Sequence, residues 1–497
     1  MADLFLSIDA GGTAVKAAVF DAEGRLVASR AIDILTIHRD NGWVEREPEA
    51  FWRGTAKAIR ELTARDIDAE RIAAVACTGF GNGVFLVDGN GRATRDGIVS
   101  VDHRAQPIVA EFLRDGTAGR IEAITGHQIW GGQTLMQLVW LARNEPAVVA
   151  CTRWALACKD YLRMRLTGVA STDPTDASGG GLFELEQGGY SNTLFEVAGI
   201  GVFADRMPPV IQNSGIAGLV SRVAAEETGL REGTPVAAAM MDVSACVLGA
   251  GSVGAETLTM IAGTWSINGL ETDRPISRRP PILNMIHRDR TCRLLADGSP
   301  TSAANLNWFI SRAMGGQVNL SQANGLVENS PVEALRCHFM PFVSGPAPRR
   351  GAFVGMTNVD DQGSMLRAIF EGVAFQHRRH GANVVDYVAP QAPSRIRLAG
   401  GASKSAVWTR IFADVCGLPV EVPEGDEIGA LGAAMCAAVA TGHHPDLAFA
   451  ARAMCRVERT AEPRGGLRSY YDDRYGEYLR LDHRLAHLFD GSAKAEA

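Results

Sequence analysis

Residues 5–20 hold the first side chains arranged for chemistry: Asp9-Ala10-Gly11-Gly12-Thr13 between two apolar runs, with Lys16 just beyond. An acidic residue ending a strand, followed by Gly-Gly-Thr, suits a nucleotide phosphate and its metal. The glycines let backbone N–H groups approach phosphate oxygens, the hydroxyl adds a donor, and the carboxylate can hold a hydrated Mg²⁺. Locally, an ordinary glycine-containing hairpin reads the same way.

Three further stretches bear on that choice. Residues 236–241 read as a buried strand ending at Asp242, and the small residues 243–251 continue as a helix. A carboxylate at a strand-to-helix junction sits where substrates gather in α/β folds. A helix-capping role fits the same position. Residues 257–268 repeat the opening logic of strand, Gly263-Thr264 turn and strand, so two related halves are implied, about 250 residues apart. Residues 396–399 read as a strand entering Gly400-Gly401-Ala402-Ser403-Lys404-Ser405, before a helix over 407–416. A glycine pair there lets a flat or anionic ligand lie on the backbone at a helix N-terminus, although a plain strand-to-helix turn also uses glycine.

Other patterns are excluded or weaker. No G-x-x-x-x-G-K-[ST] loop occurs. The strand over 72–78 stops at Gly79-Phe80-Gly81-Asn82-Gly83, and Val84 stands where the dinucleotide fingerprint needs its third glycine. That loop still makes Phe80, Gly81 and Asn82 candidate substrate contacts. Asp102 is a further candidate, although its pairing with Arg104 favours a structural salt bridge. His377 and His380 share a helix face with Arg378-Arg379 between them, which favours a solvated basic face over a metal site.

The elements that must position these residues fit an α/β protein. Pro48 opens a helix running through Phe51, Trp52 and Ile59 to about residue 63. Helical patterns cover 135–144, 159–166, 305–312 and 365–380; residues 171–181 look like loop, and 340–346 like strand and turn. The apolar run 428–442, rich in Gly and Ala, reads as a tightly packed helix too short for a membrane span. The tail from Gly466 reads as a surface helix. At 497 residues, 46% hydrophobic and 21% charged, the chain predicts two domains with sizeable cores. A net charge of −7 without basic runs argues against nucleic acid or anionic membrane as partner. Nine scattered cysteines, an odd count without Cys-x-x-Cys, and an N-terminus without signal-peptide character point to a reducing cytoplasm.

Taken together, the motifs resemble the FGGY carbohydrate kinases of the sugar-kinase, actin and heat-shock ATPase superfamily. The resemblance runs over residues 4–442. It is carried by Asp9 to Thr13, by Asp242 with Gly249-Ala250-Gly251, by Gly263-Thr264-Trp265, and by Gly400 to Ser405 with Trp408, Asp414 and Gly417-Leu418-Pro419-Val420. It implies two ribonuclease-H-like domains with a catalytic cleft between them, a sugar-binding domain over 1–245 and an ATP-binding domain over 246–497.

By the same resemblance Asp242 is the general base, and Asp9 organises Mg²⁺. Gly12 and Thr13 approach the transferring phosphate of ATP, and Gly11 and Lys16 belong to the same cofactor-binding set. Gly263 and Thr264 hold phosphates from the second domain, while Gly400, Gly401 and Ser403 border the adenosine. Phe80-Gly81 stands where glycerol kinases carry Arg-Glu, which disfavours glycerol. Gln137 replaces a frequent Lys, and Ala402 a frequent third glycine. Residues 42–46, 98–104 and 299–305 look most like the L-xylulose kinase branch, so the expected substrate is a ketopentose phosphorylated at its terminal hydroxyl. A polyol kinase, or a sugar- and nucleotide-binding regulator without turnover, are the alternatives. A homodimer is the expectation from base rates alone.

Overall fold

The computed structural model describes residues 3–274, 283–332, 335–345, 349–388 and 390–489. Pro346 of the turn expected over 340–346, and the tail after Phe489, lie outside them. The chain divides into two compact units. The first comprises Met1–Val253, Glu271–Leu295 and Glu427–Arg456; the second comprises Gly254–Leu270, Ala296–Asp426 and Val457–Ala497.

In the first unit, strands Leu4–Ala10 and Ala14–Asp21 form the expected hairpin, with Asp9 opposite Lys16. Leu26–Asp33 extends it on one side. On the other side Ile72–Gly79 and then Pro235–Ala237 add in parallel, and Ile216–Leu219 closes the edge antiparallel. The central strand is apolar on both faces because both are covered. Helix Pro48–Arg65 packs against Leu26–Asp33, with Phe51, Trp52, Ile59 and Leu62 buried. Helix Ile428–Ala440 packs against Leu4–Ala10 and Ile72–Gly79.

The second unit repeats this topology. Thr257–Ala262 pairs antiparallel with Ser266–Thr272 and parallel with Arg395–Ala399. Arg395–Ala399 pairs in parallel with Val420–Pro423, and Val457–Ala461 closes the edge antiparallel. Here the antiparallel edge strand follows its neighbour in the chain, whereas in the first unit it precedes it. The long helix Gln362–Val388 packs on Ala406–Cys416, with Phe370 and Trp408 stacked at 4.2 Å.

Several sequence expectations change. The strand expected over 236–241 stops at Ala237, and Ala239 adopts a left-handed φ of 60°. A helix, Pro174–Gly179, interrupts the stretch expected as loop, because Asp173 caps the Thr175 amide and Pro174 suits the first helical position. The C-terminal helix Arg468–Phe489 is not a plain surface helix: Tyr471, Arg474, Tyr478 and Asp482 are buried along one face. His377 and His380 are also buried rather than solvated, and hydrogen-bonded side chains surround both.

Candidate active site

Asp9 lies one residue before the end of the central strand, next to Thr78 of the parallel neighbour. The turn that follows is built from beneath. Arg46, 1% exposed, donates to the Gly11 carbonyl at 3.2 Å and to the Gly12 carbonyl at 2.5 Å. Thr36 Oγ1 donates to the Gly12 carbonyl at 3.2 Å, and the Ile34 amide donates to the Thr13 carbonyl at 2.8 Å. The turn's carbonyl oxygens are thus spent on protein donors, while Gly12 and Thr13 themselves are exposed. A turn with its acceptors tied down and its backbone open suits an anion.

Asp242 is the first residue of helix Asp242–Gly249. Its Oδ1 accepts from its own helix's Val243 amide at 2.7 Å, and the Gly81 amide also bonds the carboxylate. Burial, and then the negative charge of Asp9, push Asp242 up to about 7 despite those two amides. Asp9 is pushed up to about 6 by burial; Lys16 draws it down and Glu427 raises it. Lys16 Nζ meets Glu427 at 3.1 Å, so its charge is shared between two carboxylates. The site therefore holds two carboxyls whose affinity for a proton is raised by their surroundings, an arrangement that a substrate proton and a cation would both relieve.

The loop over 238–241 that delivers Asp242 is gripped at three points. Arg163 donates to the Ala238 carbonyl at 2.5 Å, Thr78 Oγ1 to the Met240 carbonyl at 2.8 Å, and the Met241 amide to Thr175 Oγ1 at 2.8 Å. Thr175 is itself held by Asp173, which with Asp160 and Asp176 surrounds Lys159 Nζ. Among the described residues this acidic trio has the spacing of a metal cluster, but the buried ammonium already supplies its cation. Burial pushes Asp176 up to about 8 against the pull of Lys159. Composition and spacing carried no signal of this framework, because its residues look like ordinary polar helix and loop positions.

Gly81 packs so tightly that a Cβ on it would lie 2.4 Å from Met241 Sδ. Phe80 lies under the turn, its ring 5.2 Å from the Arg46 guanidinium carbon. Asn82, at a left-handed φ of 64°, accepts from the Thr134 amide at 3.2 Å. Asp102, a candidate substrate contact from sequence, is instead fully buried. One oxygen accepts from the Val44 amide at 2.6 Å and both accept from Arg104, so it builds the wall and offers no open atom.

In the second unit the Gly263 and Gly400 turns abut. A Cβ on Gly400, which has φ +90°, would stand 2.8 Å from the Ala262 carbonyl carbon and 2.9 Å from the Gly263 nitrogen. Only glycine fits there, for both space and conformation. Ser403 Oγ donates to the Gly400 carbonyl at 2.7 Å, and Arg459 donates to the Ser403 carbonyl. Thr264, Gly400 and Gly401 are exposed, so two backbone turns form one open surface.

Comparison with known proteins agrees with this arrangement. The N-terminal domain model of the FGGY family of carbohydrate kinases matches residues 4–249, and its C-terminal domain model matches residues 258–441. An L-xylulose/3-keto-L-gulonate kinase of Escherichia coli is 30% identical over 97% of this chain and 97% of its own. A probable L-xylulose kinase of Pasteurella multocida is 31% identical over 96% of this chain and 98% of its own. The crystal structure of a xylulose kinase from Lactobacillus acidophilus superposes with a TM-score of 0.90 at 22% identity, covering 97% of this chain and 98% of that one. The duplicated strand order, the paired Gly-Thr turns and both domain matches converge: the chain belongs to the FGGY family of carbohydrate kinases, phosphotransferases with an alcohol group as acceptor and ATP as donor.

Proposed function

We propose that this kinase phosphorylates a ketopentose of the L-xylulose type at its terminal hydroxyl. The observation that carries the catalytic part is the pairing of Asp242 and Asp9, both pushed up by burial, beside an exposed Gly12-Thr13 turn in one unit. The full-length likeness to kinases named for L-xylulose supports the substrate.

In this reading Asp242 accepts the proton of the sugar's terminal hydroxyl as that oxygen attacks the γ-phosphorus. The bond to the β–γ bridging oxygen breaks and ADP leaves. Phe80, Gly81 and Asn82 border the sugar, while Arg163, Thr78 and Thr175 hold the base in place. Asp9 would hold a divalent cation, Mg²⁺ in a kinase of this kind, which when bound would supply neutralisation of phosphate charge. Asp9 fits that role as an oxygen donor, partly open to solvent and pushed up to about 6 by burial, whose ionised form a cation would favour further. Gly11, Gly12, Thr13 and Lys16 face the transferring phosphate. The second unit's Gly263 and Thr264 hold phosphates, and Gly400, Gly401 and Ser403 border the adenosine. The cytoplasm is the expected compartment: none of the nine cysteines is in a disulfide, and among the described residues no helix is long and apolar enough to cross a membrane.

The test is a coupled ADP-release assay over L-xylulose, D-xylulose, both ribuloses, erythritol and glycerol, with Asp242→Asn as control. Turnover of one ketopentose that depends on Asp242 is the expected result. Preference for erythritol or glycerol overturns the substrate, and turnover undiminished in Asp242→Asn overturns the base.

A further inference from the structure

A serine, a histidine and an aspartate stand in line within the second unit, and the proposed sugar phosphorylation gives none of them a role. Ser299 Oγ lies 2.8 Å from His380 Nε2, and His380 Nδ1 lies 3.0 Å from Asp297 Oδ2. The surrounding groups fit one tautomer of the ring, although Nδ1, 3.0 Å from Asp297, makes no well-aligned hydrogen bond among the described residues. Tyr478 donates its hydroxyl to Gln376 Oε1 at 2.9 Å, which turns the Gln376 NH₂ toward His380 Nε2, also at 2.9 Å. Nε2 is therefore an acceptor, and Nδ1–H faces the carboxylate. Asn383 holds the same Asp297 oxygen at 2.8 Å. The one Nε2 lone pair is shared between the Gln376 amide and the Ser299 hydroxyl, which also meets Thr301 Oγ1 at 2.7 Å. When Gln376 yields, a serine hydroxyl on an imidazole with a carboxylate behind it is the arrangement that activates a nucleophile.

The position of Ser299 says what it would attack. It ends strand Arg293–Ser299, the sheet neighbour of Ser266–Thr272, which begins where the Gly263-Thr264-Trp265 turn stops. A Cβ on Gly298 would lie 2.3 Å from the Ser266 carbonyl oxygen, so the two backbones touch beside the turn. The Ala303 amide donates to the Gly263 carbonyl at 2.9 Å, closing the segment after Ser299 onto the same turn. Ser299 itself is partly exposed, whereas His380 and Asp297 are buried.

We propose that Ser299 is a second phosphoryl acceptor, which takes the γ-phosphoryl group of bound ATP when no sugar is present. Ser299 Oγ bonds to the γ-phosphorus, the bond to the β–γ bridging oxygen breaks, ADP leaves, and the serine proton passes to His380 Nε2. Asp297 acts as a positioning residue for the ring. The inference rests on the proposed placement of nucleotide phosphates at the Gly263-Thr264 turn.

The test incubates the full chain with γ-³²P-ATP and Mg²⁺ without sugar and maps the label by mass spectrometry. Calorimetry of ATP binding and the sugar assay are run in parallel. The expected result is phosphate on Ser299, absent from that site in Ser299→Ala, retained in part in Ser299→Thr, and formed about 10²-fold more slowly in His380→Gln. Melting curves establish that each variant is folded, and the wild-type map decides the question by itself. ATP binding and sugar turnover with no label at Ser299 overturn the inference and leave the proposed function standing. Label at Ser299 that forms equally fast in His380→Gln overturns the role of the histidine. Absence of ATP binding removes both readings together.

Discussion

Gly432 and Ala245 approach so closely that a Cβ on the glycine would stand 1.9 Å from the alanine's carbonyl oxygen. One turn along, a Cβ on Gly249 would lie 2.0 Å from the Ile428 carbonyl oxygen. Helices Asp242–Gly249 and Ile428–Ala440 therefore touch backbone to backbone at two points. The first of these helices begins with the proposed base; the second begins beside Asp9, where a Cβ on Gly429 would lie 3.2 Å from the Asp9 carboxylate. Small residues in these helices are what bring the Asp242 and Asp9 elements together.

Gly432→Ala should thus destabilise the fold by about 1–3 kcal/mol, the usual cost of overpacking, although alanine favours the helical state. Because the two helices must separate, kcat should fall as well. Urea unfolding at pH 7.5, with sugar kinetics on the same sample, checks both.

Asp242→Asn should lower kcat for sugar phosphorylation by about 10²–10⁴-fold, the range for loss of a general base. ATP binding should be nearly unchanged, because in this reading the nucleotide is held by backbone turns. Steady-state kinetics and calorimetry separate the two effects.

The pH profile follows from the same group. A base must be ionised to accept a proton, and Asp242 is pushed up to about 7 in the ligand-free protein. The sugar kcat/KM should therefore fall on the acid side with an apparent midpoint near 7, shared with Asp9 because the two carboxyls interact. The limb should disappear from the residual activity of Asp242→Asn. A profile flat from pH 5 to 8 on this scale would rule out the assignment.

Stability should run the other way. Between the ordinary carboxyl value of 3.8 and about 7, the folded state keeps a proton on Asp242 that the unfolded chain has released. Folding stability from this group is thus highest below 3.8, declines as pH rises, and levels off above about 7. Asp242→Asn cannot ionise, so it should be more stable than the parent at pH 8 by on the order of a few kcal/mol. The gap should close toward pH 4. Chemical denaturation of both proteins across that range is the measurement.

Lys159→Met should be the costliest of these substitutions, because it strips buried Asp173 and Asp176 of their cation and leaves Asp160 with Arg163 alone. The expected loss at pH 7.5 is about 3–5 kcal/mol, and it should shrink in acid as the carboxyls take up protons. Thermal melts at pH 5 and pH 8 test the magnitude and its direction.

Some of this was legible from residue order alone. Strand-glycine-strand patterns around Gly11-Gly12 and Gly263-Thr264 are local, because glycine and alternating apolar residues act within a few positions, and the duplication was visible in them. Pro48 and the Gly/Ala run at 428–442 likewise announced their helices. Asp9 stood out as a carboxylate near a strand end and Asp242 as one opening a helix, although its strand ends earlier, at Ala237, and the order of the motifs was enough for the family.

Other features depend on contacts between residues far apart in the chain. Lys16 and Glu427 are separated by 411 positions, yet share one ion pair beside Asp9. Residues 427–456 join the first unit after the chain has passed through the second, which no local pattern announces. Asp102, His377 and His380 carry side chains that suit solvent, ligand or core equally well. Burial and hydrogen-bond partners settle which, and both are properties of the assembled fold. The raised values of Asp9 and Asp242 have the same origin: a carboxyl's proton affinity depends on how much water and which charges surround it, and only tertiary packing sets those.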